Sequence, residues 1–256
     1  MEPDIFKKIE NAPRVDFGSI LSRSIDMVKL VWQDALVHSL LAFGVALPLI
    51  LLILIPVLPI YIDLLEAGAY GNGYGYEPDL PFSSPLPVII YSVIVIIASF
   101  AMQVIILPIA GHFYKVLKKA DTGSSEEIGG YFVLLKGNVG KLFLLALASG
   151  GIAIVAALLC YLPIFYVMVP LQLILPIFVF NQKLSVSDTI RAAFKLGHKY
   201  WIYVFGIIML SSMIAQLGLI LCFVGVFLTA YFVHLPMYFF YKDTIGFDDE
   251  LPIERT

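Results

Sequence analysis

Four long stretches of the chain contain no aspartate, glutamate, lysine or arginine, and this feature constrains the fold most strongly. They are Ala35–Ile62, Pro87–Tyr114, Leu142–Phe180 and Tyr200–Tyr241, with lengths of 28, 28, 39 and 42 residues. A spanning helix needs about 20 apolar residues, because each residue rises about 1.5 Å through about 30 Å of hydrocarbon. The first two stretches therefore predict one span each, and the last two each predict a helical hairpin.

The composition agrees with this count of six spans. Hydrophobic residues make up 60% of the 256 residues and charged residues 14%, whereas soluble domains average roughly 45–50% and about 25%. A soluble fold could not bury so much apolar surface, and two cysteines cannot form a disulfide framework. The net charge of −3 suggests no nucleic-acid partner. The predicted fold class is an all-α integral membrane protein with six transmembrane helices.

The positive charges indicate how these spans are oriented. All sixteen lysines and arginines fall before span one, after span six, or in the connections after spans two and four. The predicted outer loop, residues 63–86, carries only acidic charges. Because lysine and arginine stay on the cytoplasmic side, we expect both termini, including a tail at 243–256, in the cytoplasm. The N-terminal region lacks the features of a signal peptide, so span one should act as an uncleaved anchor.

An amphipathic pattern precedes spans one, three and five. Apolar side chains recur at i, i+4, i+7 and i+11, in the order Leu21, Ile25, Val28 and Trp32, then Ile128, Phe132, Leu135 and Val139, then Ile190, Phe194, Gly197 and Trp201. This spacing predicts three interfacial helices, each with one apolar face. Their start signals are Asp16 or Ser19, Ser124–Glu127, and Ser185 with Asp188 as a capping box. We expect Trp32 and Trp201 at the cytoplasmic headgroup level.

The even-numbered spans share a Leu-Pro pair near their cytoplasmic ends. The prolines are Pro108, Pro176 and Pro236, each six or seven residues before a lysine. We expect them to kink spans two, four and six. The shared elements predict a single membrane domain, residues 1–256, built from three units of amphipathic helix plus hairpin at approximately 16–115, 124–183 and 185–242.

Two segments carry a resemblance to a known family. They are Asp16–Ser24 (Asp-Phe-Gly-Ser-Ile-Leu-Ser-Arg-Ser) and Arg191–Lys195 (Arg-Ala-Ala-Phe-Lys). With the three helix-plus-hairpin units, the chain resembles the membrane domain found with bacterial glycerophosphodiester phosphodiesterases and related stand-alone multi-pass membrane proteins. This resemblance implies a location in a bacterial inner membrane. The phosphodiesterase domain has no room in this chain, so the resemblance does not imply that activity. Some stand-alone chains of this kind are labelled carotene-cleaving oxygenases.

Three histidines, His38, His112 and His234, lie in the cytoplasmic half of the predicted spans. Ionisable groups within a membrane are functional candidates, and one hypothesis is an iron or zinc site completed by His198. The chain lacks the carboxylate or tight His-x-x-His pair typical of such sites. The alternative is that His38 and His112 reach the headgroups while a neutral His234 bonds to carbonyls that Pro236 frees. We therefore predict no catalytic residue, metal or other cofactor.

Three glutamines, Gln103, Gln172 and Gln216, are further polar residues within the predicted spans. They could line a polar pathway, but hydrogen bonds between helices are a commoner use of such side chains. The absence of aspartate and glutamate from the spans weakens ion-coupled transport without excluding a facilitator. Cys160 and Cys222, near the outer hairpin tips, could form a disulfide in an oxidising exterior or remain buried thiols.

These observations leave three functional hypotheses. The first is a non-enzymatic accessory or scaffold protein that organises lipids or partner proteins, with the bilayer, anionic lipids and other membrane proteins as its partners. The second is a facilitator for a small apolar or lipid-like substrate, which requires a cavity bordered by the glutamines. The third is a membrane oxygenase, which requires at least three histidines within reach of one metal ion.

Overall fold

The computed structural model describes residues 4–69, 84–125, 127–159, 162–220 and 224–247. Over these residues the chain is helical and contains no strand, as the sequence predicts. The described α-helices are α1 (Asp4–Glu10), α2 (Phe17–Ala69), α3 (Pro85–Thr122), α4 (Val139–Leu158), α5 (Leu162–Phe180), α6 (Val186–Lys199), α7 (Trp201–Ile220), α8 (Val224–Thr229) and α9 (His234–Thr244). Short 3-10 helices lie at Val133–Leu135 and Ala230–Val233.

Five of the described helices, α2, α3, α4, α5 and α7, are long and apolar enough to cross a membrane. The segment predicted as span six is divided among α8, a 3-10 helix and α9. The count of six spans therefore stays a prediction. Cys160 and Cys222 lie outside the described residues, so a disulfide between them also stays a prediction.

The first amphipathic segment and span one form a single helix, α2, rather than two helices. The carboxylate of Asp16 accepts a hydrogen bond from the backbone N–H of Gly18 (3.1 Å) at the start of this helix. α2 continues to Ala69, so the first seven residues of the predicted outer loop are helical. The buried face runs through Ile20, Ser24, Met27 and Val31. It is displaced by one residue from the predicted stripe, whose Ile25 and Trp32 are about half exposed.

The prediction of a second amphipathic helix was wrong. No α-helix begins at Ser124–Glu127 in the described residues, and the predicted stripe forms only the 3-10 helix Val133–Leu135 before α4 begins at Val139. The physical reason is a pair of glycines, Gly129 (φ 81°) and Gly137 (φ 76°), in the left-handed conformation that turns the chain. The three predicted units are therefore not equivalent in this part of the chain.

The third predicted segment forms α6 and begins as expected. The hydroxyl of Ser185 accepts from the backbone N–H of Asp188 (3.0 Å) and donates to the Asp188 carboxylate (2.7 Å). Its buried face is made of small residues and leucine. A Cβ atom at Gly197 would lie 3.1 Å from the backbone of Pro170, so the glycine allows α6 to lie directly on α5. The Trp201 indole donates to the carbonyl of Tyr166 (3.2 Å) just beyond α6.

The prolines predicted to kink the spans are all within helices. Pro108 and Pro176 lie inside α3 and α5, and Pro236 is the third residue of α9. All three are buried, and the helices continue past them. A bend at these positions stays a prediction.

The tightest packing lies at one end of the helix bundle. We call it the basic end, because it comprises α1, α6, α9 and the last turns of α3 and α5, where lysines and arginines are concentrated. Large side chains that are less than 2% exposed come mainly from α3 and α9, including Phe113, Tyr114, Tyr238 and Phe240. At the opposite end apolar side chains such as Ile97 and Leu158 are 63% and 79% exposed. This exposure suits side chains that contact lipid rather than protein.

Two ion pairs attach α9 to the first two long helices. The guanidinium of Arg23 on α2 binds both carboxylate oxygens of Asp243 and stacks over the ring of Phe239. Asp121 on α3 accepts from the ammonium of Lys242 (2.6 Å) and the hydroxyl of Tyr238 (2.8 Å). Asp243 was predicted to begin the tail, but it belongs to α9 and pairs with Arg23 on α2.

The N-terminal helix α1 is attached to α6. Phe6 and Ile9 are buried, and the ammonium of Lys199 donates to the carbonyls of Ile9 (2.9 Å), Glu10 (2.8 Å) and Ala12 (3.0 Å). Such a lysine satisfies carbonyls that a helix leaves unpaired at its C-terminus. The Glu10 carboxylate pairs with Lys195 (2.5 Å). This hydrogen bond and the positive charge of Lys195 hold the pKa of Glu10 below its ordinary value.

Substituting Gly197→Leu should destabilise the protein by roughly 1–3 kcal/mol, because the side chain would be forced against the Pro170 backbone. Gly151→Leu on α4 is the matched control, since a Cβ atom there has no neighbour within 4 Å. Thermal unfolding of both variants in the same detergent measures the difference. Equal stability of the two variants would contradict the close α5–α6 approach.

Docking of α1 should weaken in acid. Because the pKa of Glu10 is depressed, the stability that this carboxylate adds to the docked α1 is fully present above the ordinary glutamate pKa of about 4.3. That stability is lost as the pH falls below this value. Hydrogen exchange of residues 4–10 should therefore accelerate between about pH 5 and about pH 3, after correction for the intrinsic rate. In Glu10→Gln the corrected rate should be higher and independent of pH. If the exchange of the Glu10→Gln variant accelerates in acid as much as that of the wild type, another group is responsible for the pH dependence.

Candidate functional site

The structure brings two of the predicted intramembrane histidines into direct contact. His38 on α2 and His112 on α3 share a hydrogen bond between Nε2 of His38 and Nδ1 of His112 (2.8 Å). Their rings are nearly parallel, with centroids 5.0 Å apart. Both side chains are buried, with residue exposures of 1% and 7%. The pair therefore links the first two long helices through polar atoms inside the protein.

The outer nitrogens of the pair contact backbone carbonyls. Nδ1 of His38 lies 2.6 Å from the oxygen of Asp34, and Nε2 of His112 lies 3.1 Å from the oxygen of Gly129. Gly129 belongs to the loop that replaces the second predicted amphipathic helix. Its carbonyl can reach back to α3 because the left-handed glycine turns the loop toward His112.

The three contacts of the pair need more protons than two neutral imidazoles supply. Carbonyl oxygens only accept, so Nδ1 of His38 and Nε2 of His112 must each carry a proton to form hydrogen bonds. The contact between the two rings needs a third proton. Two neutral rings therefore satisfy two of these three contacts at a time. His112 also lines an open groove with Asp34, Lys119 and Glu127, which connects the pair to the surface.

Aromatic side chains surround the histidine pair. The rings of Phe113, Tyr131 and Tyr231 lie 5.2, 5.0 and 5.8 Å from the ring of His38. His234 lies on the other side of Phe113 and Tyr231, and its Nδ1 is 3.3 Å from the hydroxyl of Tyr114. It therefore has a side-chain partner that the sequence did not indicate.

The fourth histidine lies elsewhere. His198 is exposed on α6 and contacts the hydroxyl of Tyr166 (3.3 Å). In the part of the chain that the structure describes, no group of three or more histidine, cysteine, aspartate or glutamate side chains could hold a metal ion. All four ring nitrogens of the His38–His112 pair already face protein atoms. The described residues therefore do not support the metal-oxygenase hypothesis, which stays a prediction.

A second candidate site is a cavity of about 360 Å³ between α3, α4 and α5, which we call the α3–α5 cavity. Leucine, isoleucine, methionine and phenylalanine side chains form most of its wall. Its polar groups come from Gln103, Ser149 and Gln172, one from each helix. At Gly150 a Cβ atom would lie 2.5 Å from the Phe100 ring, so this glycine allows α3 to close on α4 beside the cavity.

The polar groups of the α3–α5 cavity differ in how many hydrogen bonds they make within the protein. The amide of Gln103 donates to the hydroxyl of Ser149 (3.5 Å), which donates to the carbonyl of Ala146 (3.1 Å). The exposed side-chain amide of Gln172 makes no hydrogen bond within the described part of the chain. Gln216, the third predicted glutamine, is exposed on α7 and does not line this cavity.

The α3–α5 cavity lies deep along its helices. Gln103 precedes Lys115, the next charged residue on α3, by twelve residues, or about 18 Å of helix. Gln172 precedes the end of α5 at Phe180 by eight residues, or about 12 Å. Half the thickness of the hydrocarbon layer is about 15 Å. If Lys115 and Phe180 mark one boundary of the bilayer, both amides lie near its middle.

The sequence missed several residues of these sites. Tyr131 and Gly129 lie in a segment predicted to be helical, so their position beside His112 had no sequence signal. Ser149 had a weak signal, because it lies in a run of small residues that suits close helix packing. Its contact with Gln103 depends on how α3 and α4 pack.

Comparison with models of protein families, with curated proteins and with solved structures found no match. The resemblance to the membrane domain of glycerophosphodiester phosphodiesterases therefore rests on the sequence pattern alone.

Replacing His38 with leucine should destabilise the protein by about 1–3 kcal/mol, because Nδ1 of His112 would be left buried without its partner. His198→Leu is the matched control, since that histidine is exposed and makes a single long contact. Thermal unfolding in detergent should show a clear loss of stability for His38→Leu and little change for His198→Leu. Equal losses would contradict a structural link between α2 and α3 through this pair.

Proposed function

We propose that this protein binds a lipid-like molecule in the α3–α5 cavity and serves as a non-enzymatic lipid-binding accessory protein of a bacterial inner membrane. The observation that carries the proposal is an apolar cavity with an unpaired amide, Gln172, at its edge. This proposal retains the lipid-organising role expected from the sequence and uses the feature required of a facilitator, a cavity bordered by glutamines.

The size and lining of the cavity support a ligand that is mostly apolar. Its volume of about 360 Å³ falls within the roughly 300–1,000 Å³ typical of small-molecule sites. Such sites combine an apolar wall with a few polar groups that orient the ligand. Here the wall comes from side chains such as Leu107, Leu145 and Phe178, and the polar groups lie on three different helices.

The unpaired amide supports a ligand with a hydrogen-bonding group. An amide without a partner in an apolar medium costs several kcal/mol. A ligand ester, amide or hydroxyl group could accept from the N–H groups of Gln172. The Gln103–Ser149 contact is long enough that a ligand could also compete for the Ser149 hydroxyl. The proposed ligand is therefore a long-chain ester, amide or alcohol.

The orientation of the protein is part of the same proposal. Residues 224–241 are helical throughout and carry no charge, and eighteen residues of helix span about 27 Å. This length is close to the hydrocarbon thickness of about 30 Å and supports a sixth crossing. Six crossings would leave all lysines and arginines, and both termini, on the cytoplasmic side.

A scaffold for other membrane proteins is the second candidate function. The observation that favours it is the exposed apolar surface of α2 and α3 away from the basic end, where residues such as Ile55 and Ile97 are 64% and 63% exposed. A partner helix could pack on this surface in place of lipid. A facilitator would need the cavity to open alternately toward both sides.

The proposed ligand should co-purify with the protein. Purification in a mild detergent, followed by lipid extraction and mass spectrometry, should show a long-chain species at near-stoichiometric amounts. Gln172→Leu should lower the affinity for this species about two- to twelve-fold and reduce its occupancy accordingly, as expected for one lost hydrogen bond of about 0.5–1.5 kcal/mol. Ala153→Phe, which places a large ring at the cavity wall, should abolish binding.

Gln216→Leu is the matched control, because it also removes an intramembrane glutamine but lies outside the cavity. It should retain the ligand at the wild-type level. The same lipid profile in all four proteins would contradict binding in the α3–α5 cavity. Enrichment of partner proteins on the wild type, with no enriched lipid, would instead support the scaffold.

A further inference from the structure

The two ends of the α3–α5 cavity differ in burial. Four residues line the end nearest the basic end of the bundle, and all four are apolar and at most 5% exposed. They are Leu142, Leu145, Ile174 and Phe178, here called the floor of the cavity. At the other end the lining residues Ala153 and Met168 are only partly buried. The cavity is therefore closed toward the basic end and more open away from it.

Close packing beyond the floor keeps that end closed. The ammonium of Lys141, which directly precedes the floor on α4, donates to the carbonyls of Gln182 (2.7 Å) and Leu184 (3.2 Å) just after α5. On α3, a Cβ atom at Gly111 would lie 2.4 Å from Leu134, a side chain that is 1% exposed. A ligand would therefore enter the cavity from its other end.

The polar side chains of the cavity lie at one level, away from the floor. Ser149 lies seven residues from Leu142, or about 10 Å along α4, and Gln172 lies six residues from Phe178, or about 9 Å along α5. Gln103 lies at the same level, because its amide donates to the hydroxyl of Ser149 (3.5 Å). We call Gln103, Ser149 and Gln172 the polar belt. The space between this belt and the floor is lined by apolar side chains.

Among the described residues that line the cavity, none is charged. Lys141 is the nearest charged residue on α4, and its ammonium is directed at two backbone carbonyls beyond the floor. A charged ligand group inside the cavity would therefore have no counter-ion in an apolar medium. Such a charge costs far more free energy than an uncharged polar group with a hydrogen-bond partner.

We propose that the α3–α5 cavity selects an uncharged ester, amide or alcohol and binds it with about 10 Å of its hydrocarbon chain between the polar belt and the floor. The inference rests on the proposed function, because it states the charge and the direction of the ligand in the same cavity. The polar group of the ligand then lies at the belt. This direction is opposite to that of a phospholipid in the leaflet at the basic end, whose headgroup lies at the surface and whose chains point to the middle of the membrane. Phospholipids of that leaflet thus match neither the charge nor the direction.

Methyl decanoate and decanoate test the charge preference, because they share a chain and differ in charge. Native mass spectrometry of the full-length protein in a mild detergent at about pH 9, where the carboxyl group is ionised, should show at least about ten-fold stronger binding of the ester. Gln172→Lys should strengthen decanoate binding at least about three-fold, because it supplies a charge-assisted hydrogen bond at the belt. Gln216→Lys, the same change outside the cavity, is the matched control and should retain the wild-type preference.

The two probes also separate this inference from the proposed function. Equal or stronger binding of decanoate to the wild type would overturn the inference and leave the proposed function intact. An equal gain of decanoate binding in Gln172→Lys and Gln216→Lys would do the same. If neither probe binds, the proposed function fails and the inference fails with it.

Photoreactive forms of methyl decanoate test the direction of the chain in the wild-type protein. A diazirine group at the last carbon should label the floor, within residues 142–145 or 174–178. A diazirine group beside the ester should label residues 149–153 or 168–172. The reverse pattern, or the same pattern with both probes, would overturn the proposed direction.

A deeper floor should favour a longer chain. Phe178→Leu should improve the binding of methyl dodecanoate relative to methyl decanoate at least about three-fold, because each newly buried methylene contributes about four-fold. Phe180→Leu is the matched control, since it lies on the same helix but does not line the cavity. Its ratio of the two affinities should equal that of the wild type. An unchanged ratio in Phe178→Leu would show that the chain does not reach the floor.

Discussion

The structure depends on the attachment of α9 to α2 and α3 at the basic end of the bundle. Apolar helices in a membrane gain little from packing together, because lipid tails are as apolar as their own side chains. Polar contacts can therefore decide where the helices meet. Arg23 with Asp243, and Asp121 with Lys242, bring the last helix against the first two long helices. The buried aromatic side chains of α9 then complete a well-packed core at that end.

This one-ended packing explains the position of the α3–α5 cavity. Near the basic end the helices touch, and small residues such as Gly111 and Gly197 allow close approach. Farther along, α3, α4 and α5 are less closely packed and leave the α3–α5 cavity between them. A lipid-like ligand in that cavity would thus bind away from the tightly packed basic end.

The parts of the fold that depend on local sequence could be predicted. The charge-free stretches predicted α3, α5 and α7 and most of α2, and Ser185 with Asp188 predicted the start of α6. The prediction of the second amphipathic helix was wrong because it relied on the i, i+4, i+7 spacing of apolar residues. The same segment contains two glycines that adopt a positive φ in the structure. The apolar stripe on α2 was displaced by one residue, since exposure to lipid and burial in protein both favour apolar side chains.

Charge placement alone determined that this chain forms long apolar helices, because hydrogen-bond satisfaction in hydrocarbon and the cost of charge there act on each segment separately. Only the tertiary structure decided which polar residues meet. His38 and His112 are 74 residues apart in the sequence, yet they share a hydrogen bond. Gln103 and Gln172 line one cavity while Gln216 does not. These outcomes follow from the packing of separate helices, for which the spacing of residues along one helix carries no information.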